Sequence, residues 1–215
     1  MDPDHVAPSP SRWLIAAAAA LLLLAPAAAR ADAFGDASLT LAIGEDARLF
    51  LNITNEHFAP PAAAAAAVVR GCPHPEDDFP VIMMLANASG RPAEAILAMR
   101  LRGLAWTDVM FRVGVPPAVL FAHLDRDPGP PFARAWDYWR RHRNRGRLGL
   151  SDREIVELTK LQIAAAYYRV NPYSITAERQ RGRSIEAFAA ERQKRSGDLR
   201  DEEDARRRDR GRRRP

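Results

Sequence analysis

The chain has 215 residues, 47% of them apolar, which is enough for one domain with appendages or two very small domains. Its 32 Lys and Arg against 27 Asp and Glu give a net charge of +5, but only Lys160 and Lys194 are lysines, so the arginine content reads with the abundant alanine as a GC-rich coding bias rather than a functional signal. Cys72 is the only cysteine, which excludes an intramolecular disulfide, leaves a free thiol or an intermolecular bond, and puts the burden of stability on packing.

Residues 1–33 read as a cleavable export leader. Arg12 supplies the early positive charge, "WLIAAAAALLLLAPAAA" (13–29) the apolar stretch, and Ala29-Arg30-Ala31 and Ala31-Asp32-Ala33 two A-x-A cleavage sites. Pro26 interrupts a run already at the short end of the ~20 apolar residues that a spanning helix needs, so no transmembrane segment is expected in the mature chain. The reading places the product in the periplasm or outside the cell.

Residues 34–58 alternate at period two on both sides of "GED": Leu39, Leu41 and Ile43 on one side, Leu49, Leu51 and Ile53 on the other. Two such runs around a Gly-containing turn predict a β-hairpin. An Ala/Pro-rich connector follows over 59–75, its alanine run a candidate short helix.

The rest of the body predicts helices. In a first unit, 76–124, the carboxylates of "PEDDFPVIMMLANASG" precede an apolar run that Gly90 stops, and "RPAEAILAMRLRG" begins at Pro92 and ends at Gly103. Short helices are expected over 106–113 and 117–124. An aromatic and basic linker spans 125–150. The second unit, 151–192, opens on a capping box from Ser151 to Glu154. It continues with an apolar stripe of Ile155, Leu158, Leu161, Ala165 and Tyr168, then a helix begun by Asn171-Pro172 and ended by Gly182, and a last helix with Ser184 as its cap. Residues 193–215 hold one Leu and no aromatic, a composition that predicts a disordered Arg-rich tail. Residues 192–215 carry eleven basic and six acidic side chains, so most of the net positive charge sits there.

The two units correspond at one constant offset. Ile96, Arg100, Arg102, Gly103, Trp106 and Val109 fall on Ile175, Arg179, Arg181, Gly182, Ile185 and Phe188, with Pro92 and Pro172 one residue out of step. The expected fold class is therefore mainly α: an N-terminal β-hairpin, two related helical-hairpin units and a disordered charged tail. Two units are fewer than a solenoid requires, so a duplicated compact body is expected.

The segments "GRPAEAILAMR", "GLAWTDVMFRVGV", "GPPFARAWDYWR" and "LGLSDREIVELTKLQIAAAYYRVNPYSITAERQRGRSIEAF" resemble a group of small exported bacterial proteins of unknown function, over about residues 76–191. Within the motif G-x-[SA]-W-x-[DE]-[IV], Ala105 stands where a Ser or Thr cap is natural. The resemblance brings no activity, cofactor or site residue with it.

Residues 99–124 have the outline of a helix-turn-helix. A recognition helix presents Arg, Lys, Asn or Gln to base edges, whereas "PPAVLFAHLD" offers Pro117, Ala118 and His123. Arg100, Arg102 and Arg112 on the preceding helices could touch phosphates only, which positions without specifying. Trp106, Val109, Val113, Val119 and Leu120 read as core. In "FARAWDYWRRHRNRGR", Trp136, Tyr138 and Trp139 alternate with Arg140, Arg141 and Arg143, an arrangement suited to stacking, cation–π contact or an anionic lipid interface; the alternative is aromatics packed inward with arginines solvated. His57, Cys72, His74, Glu76, Asp77 and Asp78 lack a recognised metal-ligand spacing, and no metal is expected. His123 reads as a half-buried core histidine, and His142 stands in a basic run. No nucleophile elbow, H-E-x-x-H or phosphate loop is present, so no catalytic residue or cofactor is assigned.

These features point to an exported, non-catalytic binding or scaffolding protein of the bacterial envelope. Its partner is expected to be an envelope protein or an anionic surface, met through the aromatic-basic linker and the tail. The alternatives are an enzyme with an unrecognised site and, third, a nucleic-acid-binding protein.

Overall fold

The computed structural model describes residues 43–143 and 149–212, with side chains as far as residue 198. The leader, nearly all of the first expected strand, and residues 144–148 and 213–215 lie outside the described residues. In chain order the described elements are α1 (Glu45–Phe58), α2 (Ala62–Gly71), α3 (Pro75–Ser89), α4 (Ala93–Leu101), α5 (Trp106–Val113), a 3-10 turn (Pro117–Phe121), α6 (Ala133–Arg141), α7 (Asp152–Tyr168), α8 (Pro172–Gln180) and α9 (Ile185–Arg212). There is no strand among the described residues.

Two long helices, α3 and α7, pack against each other and carry the other elements. Helix α3 is apolar almost all round, with Phe79, Val81, Ile82, Met83, Met84 and Leu85 buried, as a helix enclosed on every side must be. Helix α7 starts from the expected capping box: Ser151 Oγ accepts from Glu154 N, and the Glu154 carboxylate accepts from Ser151 N at 2.9 Å. On its predicted stripe Ile155, Leu158, Leu161 and Ala165 are buried and Tyr168 is half-buried. Each such Leu or Ile contributes roughly 1.5–3 kcal/mol of transfer free energy. No described helix is long and apolar enough to cross a membrane.

Three expectations are corrected. Residues 45–58, expected to hold the turn and second strand of a hairpin, form α1. The run that alternates at Leu49, Leu51 and Ile53 also spaces Phe50, Ile53 and Thr54 at helical intervals. Phe50, Leu51, Ile53 and Thr54 are buried, Leu49 only partly, and α1 lies on α3 and α9. The alanine run of the connector, a candidate short helix, is α2, which buries Ala65, Val68 and Val69 and packs on α4. The helix expected over 117–124 is a 3-10 turn of five residues. Finally, residues 193–212 of the expected disordered tail continue α9 as helix, and Gly197, with open space where a Cβ would stand, does not break it. Contacts between Glu191 and Arg195, one turn apart, and between Arg183 and Glu191 support that helix where it leaves the core.

Local geometry recurs at the offset expected from the sequence. Helices α4 and α8 are nine residues each and start at the corresponding positions Ala93 and Pro172. Their closing residues, Arg102 and Arg181, have φ/ψ of −81°/7° and −81°/5°, and Gly103 and Gly182 follow at φ 82° and 85°. Those positive φ values in open turns are why glycine stands at both positions. At the ends of α3 and α7, Gly90 and Arg169 both take the left-handed conformation.

Candidate functional site

The aromatic-basic segment folds as α6, and the helix separates its two residue types. Trp136 is buried (3% exposed). Trp139 is partly buried and stacks on Phe121 of the 3-10 turn with ring centroids 4.6 Å apart and planes 12° from parallel, and Trp136 lies 5.1 Å from Trp139. The outer side of the Trp139 ring is covered by the Arg143 guanidinium at 4.7 Å. Tyr138 stacks on His142 at 4.3 Å, and its carbonyl lies 2.8 Å from His142 Nδ1. The rings are thus committed to packing, while Arg140, Arg141 and Arg143 are exposed. Arg141 pairs with Asp137 one turn back, and Arg134 pairs with Glu154 of α7. Arginine charge is what this helix presents outward.

Most of the apolar residues in the helix-turn-helix outline go to the core. Leu120 and Phe121 of the 3-10 turn are buried, and the Leu120 carbonyl accepts from Gln162 Nε2 of α7 at 2.9 Å. Trp106, Val109 and Val113 are buried and Val119 is partly so. His123, expected half-buried, is exposed, and it is the following Leu124 that turns into the core. Among the former metal candidates, His57 is exposed on α1, and His74 is exposed 3.7 Å from Glu76. Cys72 is buried. Burial first, and then the Asp78 and Glu76 carboxylates, push its thiol up to about 12, which makes it an inert group. Among the described residues no three His, Cys, Asp or Glu side chains are gathered as metal ligands.

A second locus lies at the start of α3 and α7, where the carboxylates expected to act as helix caps are drawn into ion pairs. Lys160, 5% exposed, donates to Asp77 at 2.7 Å and to Glu186 at 2.6 Å, joining α3, α7 and α9. Burial works against the ammonium, but the Glu186 charge and the two hydrogen bonds outweigh it and hold Lys160 above the usual lysine range. Burial likewise opposes the Glu186 carboxylate, and Lys160 holds it below the ordinary range. Arg100 pairs with Asp78 at 3.2 Å and Asp152 at 2.5 Å, and its guanidinium lies 4.8 Å over the Trp106 ring. For Asp78 burial wins over Arg100, and its carboxyl is pushed up. Asp152 also accepts from Trp106 N at 2.8 Å. These groups line an open cleft of about 470 Å³. Neither Lys160 nor Asp152 is marked by any motif in the sequence; the R-x-R-G turn does single out Arg100 and Arg179, without their partners.

No family model, curated protein or solved structure matches the chain.

Proposed function

We propose that this is an exported, non-catalytic binding protein of the bacterial envelope, built from two related helical units and seated on an anionic lipid surface by the arginine face of α6. The leader motif supports export. The observation that carries the docking surface is the sorting on α6: Trp136 and Trp139 pack against Phe121, while Arg140, Arg141 and Arg143 stand exposed. The adjoining segment adds Arg145 and Arg147 in sequence. Clustered arginines near an anionic leaflet contribute about 1 kcal/mol each at close range, screened by salt. The common offset shared by helix lengths, turns and glycines supports relatedness of the two units.

The test is co-sedimentation of the mature chain with phosphatidylglycerol-containing vesicles and with neutral phosphatidylcholine vesicles, at low and high salt. Binding confined to anionic vesicles, released by salt and lost in the double variant Arg140→Glu/Arg143→Glu, is expected. Equal binding to neutral vesicles, or none at low salt, overturns the reading. Cell fractionation with the mass of the mature N-terminus tests export separately.

A further inference from the structure

Arg100 and Arg179 occupy corresponding positions of the two units and share one anchor, while their carboxylates meet different nitrogens, Nε of Arg100 and Nη2 of Arg179. Each donates from Nη1 to a carbonyl four residues on, that of Leu104 at 3.1 Å and that of Arg183 at 2.9 Å. Each also pairs with a carboxylate of the preceding long helix, and those carboxylates correspond at the same offset: Asp78 on α3 at 3.2 Å and Glu157 on α7 at 3.0 Å.

Beyond this the two sites differ. Arg100 holds a second carboxylate, Asp152, supplied by the first residue of α7. No second carboxylate reaches Arg179, whose side chain is 16% exposed and whose buried Nε has no hydrogen-bond partner among the described residues. A semi-enclosed cavity of about 180 Å³ lies against it instead, walled by Pro131, Phe132, Ala135 and Leu158, with Arg153 at its edge. Of the acids of that wall, Glu154 is engaged by Arg134 and the Ser151 cap, and Glu157 is ion-paired with Arg179, its buried Oε2 making no hydrogen bond.

We propose that this cavity binds a small organic carboxylate with an apolar body, its carboxylate meeting the Arg179 guanidinium as a second carboxylate, as Asp152 is the second on Arg100. Arg100 shows that one arginine accommodates two carboxylates, and a guanidinium offers donors enough to bind both. The apolar wall receives the remainder of the ligand. The volume sets its size, since a cavity of about 150 Å³ takes one benzene ring. Arg153 adds a second positive charge at the mouth.

Benzoate is the probe, and its neutral isostere benzamide the control, each titrated into the full mature chain by calorimetry and by amide chemical shifts. Two variants are compared. Ala135→Val reduces the cavity from a wall position that is 1% exposed, and Arg179→Lys keeps the charge but removes the planar fork. Saturable benzoate binding, at least about tenfold weaker for benzamide and for each variant, is expected. No saturable binding of benzoate at millimolar concentration overturns the proposal. So does binding that both variants leave unchanged, or that sulfate displaces as readily as benzoate does, since the apolar wall would then contribute nothing. Vesicle binding through α6 is read out independently, so either conclusion can fail without the other.

Discussion

Replacing Asp152 by Ala removes one side chain that does two jobs. Its Oδ1 accepts from Trp106 N at 2.8 Å, the first backbone donor of α5, where Ala105 offers no side-chain cap. Its Oδ2 lies 2.5 Å from Arg100 Nη1. A lost capping bond costs about 1 kcal/mol. A hydrogen bond to a charged group is worth about 1.5–3 kcal/mol, but Asp152 is 35% exposed and Arg100 keeps Asp78 and the Leu104 carbonyl. Solvent screening therefore brings the second contribution to about 1 kcal/mol. The expected loss is about 2 kcal/mol, or roughly 4–8 °C in Tm for a chain of this size.

Urea and thermal unfolding followed by far-ultraviolet circular dichroism measure this loss, provided both give one cooperative transition. Asp152→Asn separates the two contributions, because its amide oxygen still accepts from Trp106 N while the charge is gone; it should cost about half as much, near 1 kcal/mol. A loss under about 0.5 kcal/mol for Asp152→Ala would refute the reasoning, because it would leave Asp152 no more useful than an exposed surface acid.

The other variants test the same packing account. Ala105→Ser should stabilise the chain by about 0.5–1 kcal/mol, since residue 105 has φ/ψ of −64°/152° and its hydroxyl would reach Asp108 N as Ser184 Oγ reaches Ala187 N at 3.0 Å; unchanged urea midpoints would contradict it. Lys160→Met strands Glu186 in a buried position and should cost about 3–5 kcal/mol at pH 7. Because Lys160 holds Glu186 below its ordinary range, wild-type stability from this pair is present above the unfolded carboxyl pKa and is lost as pH falls through the depressed folded value. The gap between wild type and Lys160→Met should accordingly narrow on acidification, and a gap of constant size down to low pH would count against the pair. Phe121→Ala, at a site 1% exposed and stacked on Trp139, should cost about 3–5 kcal/mol and shift tryptophan emission to the red. Cys72, raised to about 12, should resist aromatic disulfide reagents at pH 8 in the native state and react as the chain unfolds; rapid native labelling would show that its burial is misjudged.

Helix punctuation is legible in the sequence because it is local chemistry. Ser151 with Glu154, Asn171, Ser184, Gly90 and the two R-x-R-G turns act within a few residues of where they stand. The second strand expected over 49–53 fails for a reason of the same scale: a short apolar run fits period two and period 3.6 together, and the decision lies with α3 and α9, which bury Phe50 and Leu51. Over residues 193–212 the composition misleads, because it cannot form a core. A helix can still extend through such a segment from a buried start, and α9 is nucleated by Ile185, Phe188 and Ala189, all buried.

The candidate sites divide along the same line. On α6 the sequence locates the segment, yet which aromatic faces the core depends on Phe121, fifteen residues before Trp136. The ion pairs are further from reach, because Lys160 meets Asp77 across 83 residues and Arg100 meets Asp152 across 52. What the sequence does contain is the pair of arginines, each marked by an R-x-R-G turn. Their likeness is a fact of local structure; their difference is set by neighbours. Asp152 reaches Arg100 because α7 begins beside it, whereas the first turn of α6, with Phe132 and Ala135, walls the space against Arg179 and brings no carboxylate. One arginine became a joint of the fold. The other, paired with one carboxylate only, was left against a cavity.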